Sequence, residues 1–249
     1  MDAKFSDILY AEIKCGNMGK TILISGATGN LGSAVLKKFL ENDFQIAALV
    51  SDRHRNDLKA ATSLKTFPVD LLDENQVQQV IRQVVEVFGS IDMAMLTAGG
   101  FAMGSLADTG EEALIKMYRL NFLTAYHAAR HIFLQMKDQE NGGQIILTGS
   151  RPAIHPGSAR DMLSYALSKS LVFRLAEVIN EDGRGGGITA SVIIPGIIDT
   201  PQNREAMPGA NFNSWVTPAE IADNVYHLTT PAGRQLRESV IKIYGESQT

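Results

Sequence analysis

From Lys20 onward the chain alternates short apolar runs with stretches of helical periodicity. The segments "TILIS", "QIAALV", "KTFPV", "IDMAML", "GQIILT", "ITASVII" and "SVIKIY" read as strands. Most are continuous runs of β-branched and aliphatic residues rather than polar–apolar alternations, the pattern of strands buried on both faces. Between them the spacing predicts helices near Asn30–Glu41, Asn75–Phe88, Glu111–Met136, Leu163–Ile179 and Pro218–His227. Strands alternating with helices imply right-handed crossovers, and so an α/β domain with one doubly wound parallel sheet covered on both sides. Ligands of such sheets bind beyond the carboxyl ends of the strands, so chemistry is expected in the residues that follow each strand.

Composition narrows the class. The 249 residues are 45% hydrophobic and 20% charged, which suits one soluble domain with a full core. No Pro/Ser-rich linker divides the chain, and "GRGGG" at Gly183–Gly187 falls between a helical and a strand pattern, as a turn would. A net charge of −4 without a large basic block argues against nucleic acid or an anionic membrane as main partner. No apolar run is long enough to span a bilayer, and the start lacks a signal-peptide core. The single cysteine, Cys15, can make no internal disulfide, and a reducing cytoplasm fits that usage. Residues 1–17 read as an extension ahead of a natural start at Met18, which leaves 18–249 as the domain.

Two patterns carry candidate chemistry. After the first strand comes "SGATGNLGSAV", where Gly26, Gly29 and Gly32 permit a tight turn, close approach of backbone to a pyrophosphate and close helix–strand contact. The helix that follows offers free N–H groups and a positive dipole end to phosphates. At a first strand-to-helix turn the triplet has the context that dinucleotide binding requires. The second pattern, a tyrosine four residues ahead of a lysine, occurs twice: Tyr10 and Lys14 in "LYAEIK", Tyr165 and Lys169 in "SYALSK". That spacing puts a phenol and an ammonium on one helix face, but does not choose between the pairs. His127 and His131 also share a helix face. No Cys or carboxylate set completes a metal site around them, so they read as packing residues and no metal is expected.

In this order the motifs resemble the short-chain dehydrogenase/reductase family, from Lys20 to about Tyr244. The resemblance implies a Rossmann-type fold, NADP or NAD as cofactor, and hydride transfer involving a small carbonyl or alcohol substrate. The family's loop T-G-x-x-x-G-x-G maps here with Ser25 for the Thr and Asn30 for the middle Gly, and Asn tolerates positive φ. The implied cofactor contacts begin with Gly26, Thr28, Gly29, Asn30, Leu31 and Gly32 in the loop. Ser51, Asp52 and Arg53 follow the second strand, and Asp70 and Leu71, near the adenine, follow the third. Ala98 and Gly99 lie in "LTAGG", where Thr97 replaces the Asn of N-A-G. Pro195, Gly196, Ile198 and Thr200 lie in "PGIIDT", beside the nicotinamide carboxamide. Ser51 stands where an NAD-binding acid usually sits, with Asp52, Arg53, His54 and Arg55 after it, so the choice leans to NADP.

The family's tyrosine and lysine follow the fifth strand, which selects Tyr165 and Lys169 over Tyr10 and Lys14. Tyr165 is then the acid/base. Lys169, with the positive nicotinamide ring, brings the phenol's pKa down from about 10, and both residues contact the cofactor. Asn121 would support a water that relays protons to Lys169. Ser150 would orient the carbonyl; it lies farther ahead of Tyr165 than the family's usual dozen residues, which a two-residue loop insertion reconciles, and Thr148 and Ser164 are its rivals.

The segment "IDTPQNREAMPGANFNSWVTPAEI", together with "TAGGFAMG", is similar to dihydropteridine reductases, which implies a pterin-like substrate as the alternative. Those reductases carry alanine at the Ser150 position and lack the stretch "RPAIHPGSARDM". Met207, Phe212 and Trp215, in a segment near 200–216, read as a lid over the nicotinamide. The two long helices would pair between subunits, in a homodimer or homotetramer. A regulator that senses NAD(P) without turnover is the reading from a different class, and the intact Asn121, Ser150, Tyr165 and Lys169 set argues against it.

Overall fold

Neighbouring residues within the inner strands are buried on opposite sides, which is how the apolar runs are used. The computed structural model describes residues 19–59 and 61–246. Tyr10, Lys14 and Cys15, with the rest of the 1–17 extension, lie outside the described residues. Seven strands form one sheet in the order β3-β2-β1-β4-β5-β6-β7. They are β1 Thr21–Ser25, β2 Gln45–Val50, β3 Leu64–Pro68, β4 Met93–Leu96, β5 Gly143–Thr148, β6 Ile188–Pro195 and β7 Val240–Ile243. All neighbouring pairs are parallel. Leu23, Leu49, Leu96, Leu147 and Val192 enter one core. Ile22, Ile24, Ile46, Met95 and Ile193 enter the other. A strand with both faces covered needs an apolar residue at every position.

The helices complete the two layers. One face is covered by α1 Asn30–Leu40 and the late helix Pro218–His227. The other is covered by α2 Glu74–Phe88, a long helix over 111–137 and the helix Leu163–Asp182. The long helix is interrupted. It consists of α3 Glu111–Met117, a π-helical turn Tyr118–Leu123 and α4 Thr124–Lys137. Two short helices, α5 Pro156–Ala159 and α7 Pro201–Ala206, flank α6, Leu163–Asp182, and α8 is Pro218–His227.

His127 Nδ1 lies 2.9 Å from the Leu71 carbonyl, and His131 Nε2 lies 3.3 Å from Glu74 Oε1. Both rings tie the long helix to α2 and the loop before it. Among the described residues, no helix is long and apolar enough to cross a membrane.

Candidate active site

The first strand-to-helix turn shows which glycines sterics demand. Gly26 has φ +66°, and a Cβ there would stand 2.8 Å from Thr97 Oγ1. At Gly32 a Cβ would fall 2.1 Å from the Gly26 carbonyl oxygen, so only hydrogen fits where α1 crosses the turn. Gly29 is extended, at φ −75°, and N-caps α1 with no side chain to satisfy the first N–H groups. No acid lies in that first turn. The helix therefore presents uncapped donors and the positive end of its dipole, which suits a diphosphate. Asn30 is the first helical residue and does not adopt positive φ; the tolerance expected of it is not used.

These groups border a groove of about 1070 Å³ along the carboxyl ends of β1, β2, β3 and β4. Gly26, Thr28, Gly29, Asn30, Leu31, Gly32, Ser51, Asp52, Arg53, Asp70, Leu71, Ala98 and Gly99 all line it. Its β2 end carries two acid–base pairs, the second of them His54 with Asp57 at 2.6 Å. Asp52 is held by Arg55 at 2.7 Å, within a turn that leaves Arg53 and His54 on the same rim. At the β3 end, Asp70 Oδ1 accepts from Leu72 N–H at 2.9 Å. Thr97, standing in for an asparagine, ties the β4 end to β1 by donating to the Ser25 carbonyl at 2.6 Å, and Ser25 Oγ accepts from Ala98 N–H at 3.3 Å.

The remaining predicted residues collect past Gly99, at the ends of β5 and β6 and on α6. A Cβ on Gly99 would meet Asn121 Oδ1 at 2.5 Å and Lys169 Nζ at 3.5 Å. The groove thus runs directly up to this second group. Asn121 is buried in the π-helical turn, where its Oδ1 accepts from Gly100 N–H at 2.9 Å and its Nδ2 donates to Ser168 Oγ at 3.1 Å. Its side chain therefore links the loop after β4 to α6. Lys169, also buried, donates to the Thr148 carbonyl at 2.8 Å. Burial brings its pKa down to about 8.

Tyr165 lies one turn before Lys169 and is partly exposed. Burial pushes its pKa up, and the Ser150 hydroxyl opposes that push. Ser150 Oγ is itself buried and, among the described residues, meets no partner other than the phenol beside it. The rivals are placed differently. Thr148 Oγ1 donates to the Leu96 carbonyl at 2.9 Å, across the sheet. Ser164 directly precedes Tyr165 on α6, so it points roughly 100° away around the helix.

The segment after β6 is anchored at several points. Gly196 N–H donates to the Ile243 carbonyl, and Ile198 bridges to Val216. Pro195 ends β6, and the buried Thr200 caps α7 by accepting from Asn203 N–H at 3.2 Å. Trp215 is only 6% exposed and belongs to the core. Phe212 packs on it with ring centres 4.8 Å apart, and the Arg204 guanidinium lies over the Phe212 ring at 4.8 Å from its centre. Arg204 is held in turn by both oxygens of Asp199, at 2.6 and 2.7 Å.

Sequence reasoning passed over Asp199 and Arg204, whose five-residue separation across a helix start gives no periodic signal. It also left Phe101 without a role. That ring is 60% exposed and stands edge-on to Tyr165 at 5.1 Å.

The family described as short chain dehydrogenase matches residues 20–211. The chain belongs to that family and is an NAD(P)-dependent oxidoreductase of it. It is similar to a dihydropteridine reductase of Dictyostelium discoideum, with 27% identity over 235 residues, 93% of this chain and 97% of the relative. A cyclic-di-GMP-binding biofilm dispersal mediator protein of Escherichia coli (strain K12) is 26% identical over 185 residues, 74% of this chain and 76% of that protein. Among solved structures, ElxO with NADP bound superposes with a TM-score of 0.82 at 22% identity, covering 92% of this chain and 98% of the other. A short-chain dehydrogenase/reductase from Serratia marcescens BCRC 10948 gives 0.82 at 24% identity, covering 93% and 99%.

Proposed function

We propose that this protein transfers hydride from NADPH to a small carbonyl compound, or the reverse, with Ser150 holding the carbonyl oxygen and Tyr165 protonating it. The observation that carries this reading is the buried Ser150 hydroxyl, which stands beside the Tyr165 phenol and finds no other partner among the described residues. A buried hydroxyl whose hydrogen bonding is left incomplete calls for a functional account, and a substrate oxygen supplies one. When bound, the nicotinamide supplies or accepts the hydride. Tyr165 gives its proton to the substrate oxygen as the new C–H bond forms, so the carbonyl becomes an alcohol. Burial keeps the phenol protonated until then. Lys169, with a pKa near 8, is mostly cationic at neutral pH and favours the phenolate left behind. Asn121 acts through position, tying the loop after β4 to α6.

Two features support NADP over NAD. The acid at the β2 end, Asp52, is engaged by Arg55, and Arg53 shares the rim, so a 2′-phosphate meets more positive than negative charge. NADPH should bind at least about tenfold more tightly than NADH, the effect of one charge-assisted contact; a tenfold preference for NADH would reverse the reading.

A second reading, reduction of a quinonoid dihydropterin-like heterocycle, is favoured by Phe101, whose exposed ring beside Tyr165 offers a flat substrate a stacking surface. The near full-length similarity to a dihydropteridine reductase supports it too. One experiment separates the readings: purified protein with NADPH, a panel of small ketones and a quinonoid dihydropterin, followed by nicotinamide absorbance for wild type and Ser150→Ala. Carbonyl reduction depends on Ser150, whereas pterin reduction does not. NADPH binding without turnover of any member would leave the dinucleotide-sensing role.

A further inference from the structure

Asn30 and Gln202 lie at opposite ends of the sequence, yet Asn30 Nδ2 donates to Gln202 Oε1 at 2.9 Å. Asn30 opens α1 and lines the groove after β1. Gln202 belongs to α7, which follows β6. In the sheet, β4 and β5 separate β1 from β6. A contact between the β1 and β6 connections therefore joins two loops that leave the carboxyl edge of the sheet on either side of β4 and β5. A glycine at position 30 could not make it.

The far anchor is tied at several points. Thr200 caps α7, Asn203 Nδ2 donates to the Ile198 carbonyl at 2.8 Å, and the Asp199–Arg204 pair braces Phe212 against buried Trp215. Gln202 is thus held on an arm rooted in the core.

We propose that the Asn30–Gln202 hydrogen bond is a clasp across the diphosphate region of the groove, which makes Gln202 a cofactor-retaining residue and couples cofactor exchange to the position of residues 199–216. This rests on the groove being the NADP(H) site. The uncapped start of α1 draws the diphosphate to Asn30 itself, so a dinucleotide that reaches from the β2 rim to Lys169 has to cross the line of the clasp. Both side chains are exposed, and the bond is worth no more than about one net hydrogen bond. Its effect is on exchange, since NADPH leaves when the bridge opens.

The test is the dissociation rate of NADPH, followed by its fluorescence in stopped flow, for wild type, Asn30→Ala, Gln202→Ala and the double variant. Each single change should raise the rate about 3- to 10-fold, the equivalent of one net hydrogen bond. The double variant should release NADPH no faster than the faster single, and all three should melt within about 4 °C of the wild type. An unchanged rate in Gln202→Ala overturns the clasp, as do single effects that multiply in the double variant, because the residues would then act separately. Wild-type protein that fails to bind NADPH at all removes the groove assignment and the clasp with it. Turnover is not needed for any of these readouts, so they stand apart from the substrate reading.

Discussion

Ser150, Tyr165 and Lys169 are buried to different degrees, and each consequence can be measured. Tyr165→Phe removes a proton donor and almost no packing. Reduction should fall by about 10²–10⁴-fold, the range for losing a general acid, while NADPH affinity by titration stays within about twofold of wild type, a few tenths of a kcal/mol. Equal loss of affinity and rate would remove the acid role.

Lys169 links stability to pH. Burial lowers its pKa from 10.5 to about 8, so between those values the unfolded chain binds the proton that the folded chain has released. Unfolding free energy therefore rises with pH across pH 8–10, by at most about 1.4 kcal/mol per pH unit. Below pH 8 the penalty of the buried charge is constant. Tyr165 acts in the opposite sense above about pH 10, because its raised pKa keeps the proton in the folded state. Urea unfolding of wild type and Lys169→Met at pH 7, 8, 9 and 10 should show the rise in the first and not in the second.

At the scale of elements, the strands were legible because a strand buried on both faces announces itself as an unbroken apolar run. The sequence "QIAALV" is one, and all six of its residues form β2. The π-helical turn was not legible. "YRLNFL" continues the periodicity on either side of it, and the distinguishing contact, Asn121 Oδ1 with Gly100 N–H, is between elements remote in sequence. The turns α5 and α7 were missed because four and six residues are too few to display a period. The dinucleotide turn was readable from Gly26 and Gly32, which sterics fix. The salt bridge that neutralises Asp52 was not, since "SDRHR" offers an acid and two bases without saying which of them pair.

The segment 200–216 divides in a way composition did not suggest. Trp215 is core, while Phe212 is a half-buried brace. Phe212→Ala removes one aromatic pair worth about 1 kcal/mol, so Tm should drop by only about 2–4 °C. KM for the substrate should rise about tenfold if Phe212 walls the substrate space, since that is the size of one lost apolar contact. Unfolding at room temperature with normal kinetics in the surviving fraction would make the segment purely structural.

At the scale of the whole molecule, the described residues expose apolar side chains along two helices. Ile115, Tyr118, Tyr126 and Leu134 project from the long helix, and Leu167, Leu171 and Val178 from α6. Rings of Tyr118, Phe122 and Tyr126 run in contact along the first of these faces. A patch of this kind marks an association surface, and a homodimer or homotetramer formed through it is the expected state. Sedimentation at micromolar concentration should show no monomer for wild type, and Leu171→Glu should shift the distribution toward monomer. A strictly monomeric wild type would contradict the assignment.

The place of β1 in the middle of the sheet also sets an order of assembly. On one side β1 pairs with β2, made soon after it; on the other, Ile22 pairs with Met93 and Ser25 with Leu96. A growing chain that has made only β1, β2 and β3 therefore has its glycine turn but an open apolar edge, and neither Thr97 nor Ala98 to wall the groove. Long-range parallel pairing of this kind is slow, because the loop must close before the contacts reward it. Dinucleotide binding is accordingly competent only after that late strand has docked, so NADPH added to refolding chains should leave the early collapse untouched and pull forward only the final step.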